Sequence, residues 1–159
     1  MTKSLRVLPT SIALLALGFG VGCSAGHSSG LAPADPTETV REFLAAVKDS
    51  NLTVMGNLWG NEHGPASSYM PAQELRKRLT VIQIYLQHES YEFDPAGPLV
   101  VAGSENARAI AVRVLRAGCI ATVPFRLLPW SGTWLITDID LTAVGNPARP
   151  CVPQQPPQP

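Results

Sequence analysis

The chain has little charge and lacks the motifs that mark well-known enzyme classes. Charged residues make up 15% of the 159 residues, and 12 Lys and Arg balance 12 Asp and Glu. Without a basic excess there is no electrostatic footprint for nucleic acid. The sequence has no glycine-rich phosphate loop, no G-x-S-x-G, no H-E-x-x-H and no C-x-x-C. These absences exclude the best-marked nucleotide, hydrolase and zinc sites, so no metal, cofactor or catalytic residue is predicted.

Long apolar runs are also missing after the N-terminus, where none reaches the ~20 residues of a transmembrane helix. What is present is 45% hydrophobic residues, enough for a real core. A chain of this length favours one domain.

The first 22 residues have the pattern of an export signal. Lys3 and Arg6 form a short basic region, and an apolar region follows from Val7 to Val21. The sequence therefore predicts a signal peptide over residues 1–22, outside the fold.

The residues before the first cysteine, Gly20-Val21-Gly22-Cys23, resemble a bacterial lipobox. The resemblance implies that Cys23 is lipidated and becomes the new N-terminus, which gives stable anchoring because it carries more than one acyl chain. We therefore expect a lipoprotein of the cell membrane or outer membrane, with its domain outside the cytoplasm. Two alternatives stay open: ordinary cleavage after Ala25, and an uncleaved signal-anchor helix.

Residues 23–34 are rich in Gly, Ser and Pro and predict a flexible tether. A domain over residues 35–146 follows, and it begins with helices. Asp35, Pro36 and Glu38 have the pattern of a helix start. The predicted helical features are an apolar stripe at Val40, Phe43, Leu44 and Val47, a short helix Thr53–Trp59, a loop Gly60–Tyr69, and a helix from Pro71 to about Gln87.

The second half of the domain predicts an antiparallel sheet. Ala107–Leu141 reads as three strands divided by turns at Ala117-Gly118 and Trp130-Ser131-Gly132. Two short strands, His88–Phe93 and Leu99–Ala102, precede it. In the last strand both faces are partly apolar, which predicts a β-bulge near Asp138. Pro124 cannot donate to a ladder and predicts a bulge or an unpaired position.

N-terminal helices followed by a closing strand Gly132-Thr133-Trp134-Leu135-Ile136 resemble the nuclear transport factor 2-like superfamily, the cystatin-like α+β cones. Asp49-Ser50-Asn51 matches the family's turn after the first helix. The resemblance covers residues 36–144 and implies helices packed on a curved antiparallel sheet around a conical pocket. Small bacterial lipoproteins of unknown function have this fold. Some members of the superfamily are isomerases, dehydratases or hydrolases, and many bind a ligand or dimerise through the sheet.

Two cysteines, Cys119 and Cys151, remain once Cys23 is lipidated. In an oxidising compartment an even remainder predicts a disulfide, which would tie the Pro-rich tail, residues 147–159, to the sheet. A metal pair or a reactive thiol is the alternative, without supporting Cys and His spacing.

The residues predicted to line a pocket are Trp59, Tyr69, Tyr85, Trp134 and Asp138. Core packing for the tryptophans and a solvated strand end for Asp138 are the competing interpretations. Our first hypothesis is a non-catalytic lipoprotein that binds a small ligand or an envelope partner. The alternatives are a small-molecule isomerase or dehydratase, and a structural module that forms a homodimer through its sheet. The basic run Arg76-Lys77-Arg78 predicts a solvated helix face, with contact to anionic lipid or a partner as the alternative.

Overall fold

The computed structural model describes residues 32–149; the predicted signal peptide, most of the predicted tether, Cys23 and Cys151 lie outside them. The helices are α1 (Pro36–Lys48), α2 (Leu52–Leu58), α3 (Ala66–Tyr69), α4 (Ala72–Leu86) and a terminal 3-10 helix (Leu141–Val144). The strands are β1 (Gly60–Asn61), β2 (Gly64–Pro65), β3 (Ser90–Phe93), β4 (Leu99–Val101), β5 (Ser104–Arg116), β6 (Cys119–Trp130) and β7 (Thr133–Ile139). The predicted α+β class, with helices N-terminal to an antiparallel sheet, is confirmed.

Side-chain caps set the starts of the first two helices. The Asp35 carboxylate accepts a hydrogen bond of 2.9 Å from the Glu38 backbone N–H, as the sequence predicts. The Asn51 side chain accepts from the Val54 backbone N–H at 3.1 Å and caps α2 in the same way. Because Asn51 caps the second helix, the turn after α1 is short and the two helices pack against each other.

The main sheet has five strands in the order β3-β5-β6-β7, with β4 paired to β5. Both hairpins between the long strands turn on two residues with positive φ, Ala117-Gly118 and Ser131-Gly132. This is the geometry of type I′ turns, whose twist matches that of the flanking strands. The predicted meander is confirmed.

The core lies between the helices and one side of the sheet, which we call the inner face. Phe43 of α1 meets Phe125 of β6 edge to face, with ring centroids 6.5 Å apart. The apolar stripe predicted on α1 is fully buried here. The inner-face residues of the long strands that join this core are Ile110, Val112, Val114, Val123, Phe125, Leu127 and Ile136.

A β-bulge at Thr137 changes the faces of β7, as the sequence predicts. Arg126 pairs with Asp138, but the next residue, Leu127, pairs with Ile136, so Thr137 is the extra residue. Ile136 and Ile139 therefore both contact the core. Pro124, in contrast, lies in regular register opposite Ala111 and marks no bulge. The Ala111 carbonyl accepts from the Asp94 N–H on the other side of β5, so the Ala111–Pro124 pair exchanges no ladder bond that proline would break.

Three local predictions are wrong. The segment Gly60–Tyr69 is a short β1–β2 hairpin followed by α3, not a loop. β5 begins at Ser104, three residues before the predicted strand start at Ala107, because Val101 already pairs with Ser104. β3 begins at Ser90, two residues after the predicted strand start.

Contacts of the folded domain extend slightly past the predicted limits. The Trp134 backbone N–H donates to the Pro33 carbonyl at 3.0 Å, and Ala32 packs against the core. At the other end, Arg116 donates to the Pro147 carbonyl at 3.1 Å. Among residues 32–149, no helix is long and apolar enough to cross a membrane.

Candidate functional site

The space between the helices and the inner face is filled with apolar side chains. Phe43, Met55, Leu58 and Phe125 are all fully buried there. In the described part of the chain the only buried polar residue is Thr39, whose hydroxyl donates to the Asp35 carbonyl at 3.0 Å. The interior is therefore a packed core, not an open conical pocket.

The structure does not bring the five predicted pocket residues together. Trp59 and Trp134 are half-buried and pack against the core, and Tyr85 is half-buried near the end of α4. Tyr69 and Asp138 are exposed. Of four grooves formed by residues 32–149, none is lined by two of the five.

Asp138 differs from its predicted position because of the bulge. Period-2 alternation would place it beside Trp134 and Ile136 on the inner face. The extra residue Thr137 reverses the alternation, so Asp138 lies on the opposite side, beside the exposed Arg126.

Within residues 32–149, the side chains on the other side of most of β5 and β6 are exposed or half-buried. We call this the outer face and define it by Ala109, Ala111, Arg113, Leu115, Ile120, Thr122, Pro124 and Arg126. Ile120 pairs with Leu115 and is 69% exposed. An ion pair of Arg113 with Glu92 on β3 borders the small and apolar residues. The outer face thus combines exposed aliphatic side chains with a charged rim.

The β1–β2 hairpin covers part of the outer side of the sheet, next to β7. The β1–β2 hairpin lies against β7, and Trp59 forms a parallel bridge with Ile136. A Cβ on Gly64 would come within 3.0 Å of the Trp130 ring, so the indole packs directly on the hairpin backbone. Leu135, which alternates with the inner-face residues of β7, is fully buried.

Arg116 joins the ends of three elements at one edge of the domain. Its guanidinium donates to the Tyr85 carbonyl at 3.2 Å and to the Pro147 carbonyl at 3.1 Å. The first bond satisfies a carbonyl of the last turn of α4, where helices leave acceptors unpaired. A groove of about 440 Å³ lies here, between the β5–β6 turn with Cys119 and residues 144–149. The C-terminal segment therefore runs beside Cys119.

A second groove, of about 550 Å³, opens between the middle of β6 and the end of β7. It is lined in part by Arg126, Asp138 and Asp140. Hydrogen bonds from Thr142, through its hydroxyl and backbone N–H, hold the pKa of Asp140 below its ordinary value. The groove is thus charged and open to solvent.

Two further carboxylates have shifted pKa values. Burial, and then the neighbouring Glu38, raise the pKa of Glu42, one of whose oxygens is buried without a hydrogen-bond partner. The hydrogen bond from Arg78 lowers the pKa of Glu74.

In the described chain, no three His, Cys, Asp or Glu residues are grouped to hold a metal ion.

Comparisons with known proteins leave the family open. No family model matches the chain, and no curated protein matches it. Among solved structures, the chain is similar to a phospholipid-binding protein from Ralstonia solanacearum, solved in complex with a phospholipid. The two share 14% identity over 71% of this chain and 79% of that chain, with a TM-score of 0.37. We draw no argument about function from so distant a likeness.

Sequence reasoning missed the outer-face position of Asp138 and the contacts of Arg116. The two apolar faces of β7 signalled a bulge, but period alone could not say at which residue the faces change. No local pattern marked Arg116, since its partners lie 31 residues away in each direction.

Proposed function

We propose that the chain is an exported lipoprotein, anchored through Cys23, whose α+β domain is a non-catalytic interaction module. In this proposal the domain is a cone of the nuclear transport factor 2-like kind, and its outer face binds an envelope protein. A second copy of this chain is the first candidate partner.

The contrast between a filled interior and an open outer face carries this proposal. A small-ligand pocket needs space between helices and sheet, and fully buried side chains occupy that space. The outer face instead leaves Ile120, close to the β5–β6 turn, 69% exposed. Apolar side chains exposed on a sheet face are typical of a surface that another protein covers.

Two experiments test the parts separately. Metabolic labelling with a fatty acid should mark the wild-type chain and not Cys23→Ser; an unlabelled wild-type chain would contradict the anchor. For the interaction, sedimentation of Cys23→Ser should show a dimer that Ile120→Glu converts to a monomer, because a carboxylate cannot be buried there unpaired. Equal sedimentation of the two would contradict the outer-face dimer.

The predicted disulfide belongs to the same proposal. Arg116 binds the Pro147 carbonyl beside Cys119, and Cys151 follows Pro147 by four residues. A bridge of Cys119 to Cys151 would close a loop of about 33 residues and stabilise the fold by roughly 3.5–4 kcal/mol in the chain-entropy model. Peptide mapping without reductant should recover the linked pair from envelope protein; two free thiols would exclude it.

A small polar ligand remains a second candidate, favoured by the groove with Arg126, Asp138 and Asp140. Native mass spectrometry of the purified full chain would detect a co-purified molecule. Loss of that molecule in Arg126→Gln, and its retention in Lys48→Gln, would assign it to this groove.

A further inference from the structure

Helix α4 exposes apolar side chains on the side that faces away from the core. Leu79, Ile82 and Leu86 are its buried residues. Lys77, Val81 and Ile84 follow the spacing i, i+4, i+7 and form a stripe on the opposite side of the helix. Val81 is 50% exposed and Ile84 is 49% exposed.

Cations lie beside this apolar stripe. Arg76, Lys77 and Arg78 are consecutive and exposed, so their side chains spread across the outward side of α4. Arg78 pairs with Glu74, with 2.7 Å between Nε and Oε1. Glu74 is the only acid of the helix, which therefore keeps a positive excess.

The helix is held firmly, so the stripe is a fixed feature of the surface. Arg116 binds the Tyr85 carbonyl at its C-terminal end. The Gln83 amide donates to the Ser50 hydroxyl at 2.8 Å and ties α4 to the turn after α1. The exposure of Val81 and Ile84 therefore belongs to the packed arrangement of the helix.

We propose that this outward side of α4, formed by Arg76, Lys77, Arg78, Val81 and Ile84, binds the surface of a membrane that contains anionic lipid. Charge complementarity selects this occupant, since three adjacent cations match anionic headgroups while two aliphatic side chains enter the headgroup boundary. The methylene stem of Lys77 lies along the apolar stripe with its ammonium in the headgroup layer. The outer face of the sheet, on the other side of the domain, then remains accessible to a partner.

The inference rests on the proposed function only in that an anchor at Cys23 would keep α4 near the membrane. Its test therefore uses the full chain with Cys23→Ser, so that lipidation contributes nothing. Binding is measured by co-sedimentation with phosphatidylcholine vesicles, with and without phosphatidylglycerol. We expect binding to the anionic vesicles that weakens as salt is raised.

Two pairs of matched variants assign the binding to α4. Arg76→Gln with Lys77→Gln should weaken it about 25-fold, since each cation near an anionic surface contributes about fivefold. The control, Lys48→Gln with Arg149→Gln, removes two exposed cations elsewhere and should leave it unchanged. Val81→Ser with Ile84→Ser should weaken it about fivefold or more. Leu99→Ser with Val100→Ser, the control on β4, should not.

Hydrogen exchange on the same samples locates the contact. Amides of residues 76–86 should gain protection with phosphatidylglycerol and not with phosphatidylcholine alone. Equal binding to both vesicles, or equal losses in the α4 and control variants, would overturn the proposal. So would α4 protection by a protein partner in the absence of lipid. Failure of fatty-acid labelling would remove the anchor and leave this result untouched.

Discussion

The two faces of the sheet differ both in their residues and in their surroundings. On β6, Val123 and Phe125 of the inner face are fully buried, while Ile120 of the outer face is 69% exposed. The difference comes from α1, α2 and α4, whose buried residues pack against the inner face. The large apolar residues of the long strands therefore mark the core face, and Ile120 is an exposed aliphatic side chain on the opposite face.

The largest effect is expected on the inner face. Phe43→Ala should lower the free energy of unfolding by about 3–5 kcal/mol, because it opens a cavity beside Phe125. Ile120→Ala on the outer face, the matched control, should change the unfolding free energy of the dilute monomer by less than about 0.5 kcal/mol. Denaturant unfolding measures the free energy of unfolding of both variants. Equal losses of stability would contradict the difference between the two faces.

A substitution in the β1–β2 hairpin, which covers one corner of the sheet, should have a second and smaller effect on stability. A Cβ on Gly60 would lie 2.1 Å from the Gly64 carbonyl oxygen, so Gly60→Ala should force the two strands of the β1–β2 hairpin apart. We expect a loss of about 2–3 kcal/mol in thermal or denaturant unfolding.

Gly97→Ala separates this clash from backbone strain. Gly97 has a φ of 67° with open space around its Cβ position, so only the left-handed conformation should cost, about 1 kcal/mol. A Gly60→Ala loss no larger than this would mean that the hairpin adapts freely.

The pH dependence of stability tests the environment of Glu42 on α1, the helix that covers the inner face. Its folded-state pKa is raised above the ordinary value of 4.5, so ionisation is disfavoured in the fold. The stability linked to its protonated form is present below pH 4.5 and is lost as pH rises through the raised pKa. Glu42→Gln should therefore stabilise the fold at pH 7 by less than about 1 kcal/mol, since solvent screens the half-buried group. Unfolding at pH 7 and pH 4 should show the gain only at pH 7; a gain at both would point to another cause.

Much of the fold could be predicted because local signals agreed with the final packing. The Asp35 cap, the stripe through Phe43 and the Ala117-Gly118 turn depend on near neighbours alone. The β1–β2 hairpin could not be predicted, since its two-residue strands are too short to show alternation and form against β7.

The candidate site depends on contacts between residues that are far apart in the sequence. One bulge residue, Thr137, moved Asp138 from the predicted pocket to the outer side. Whether the cone is hollow depends on the summed volume of side chains from several elements, which no strand pattern reports. The exposed side of α4 was visible as a basic run, but the position of Val81 and Ile84 beside it required the packed orientation of the helix.

The central claim is that the outer face binds a second copy of the chain. Photocrosslinking in the native envelope tests it most directly. A photoreactive amino acid at position 120, on the outer face, should give an adduct of twice the mass of the chain. The same amino acid at position 48, exposed at the end of α1 and away from the outer face, should give none. An absence of any adduct from position 120, or the same adduct from both positions, would contradict the account.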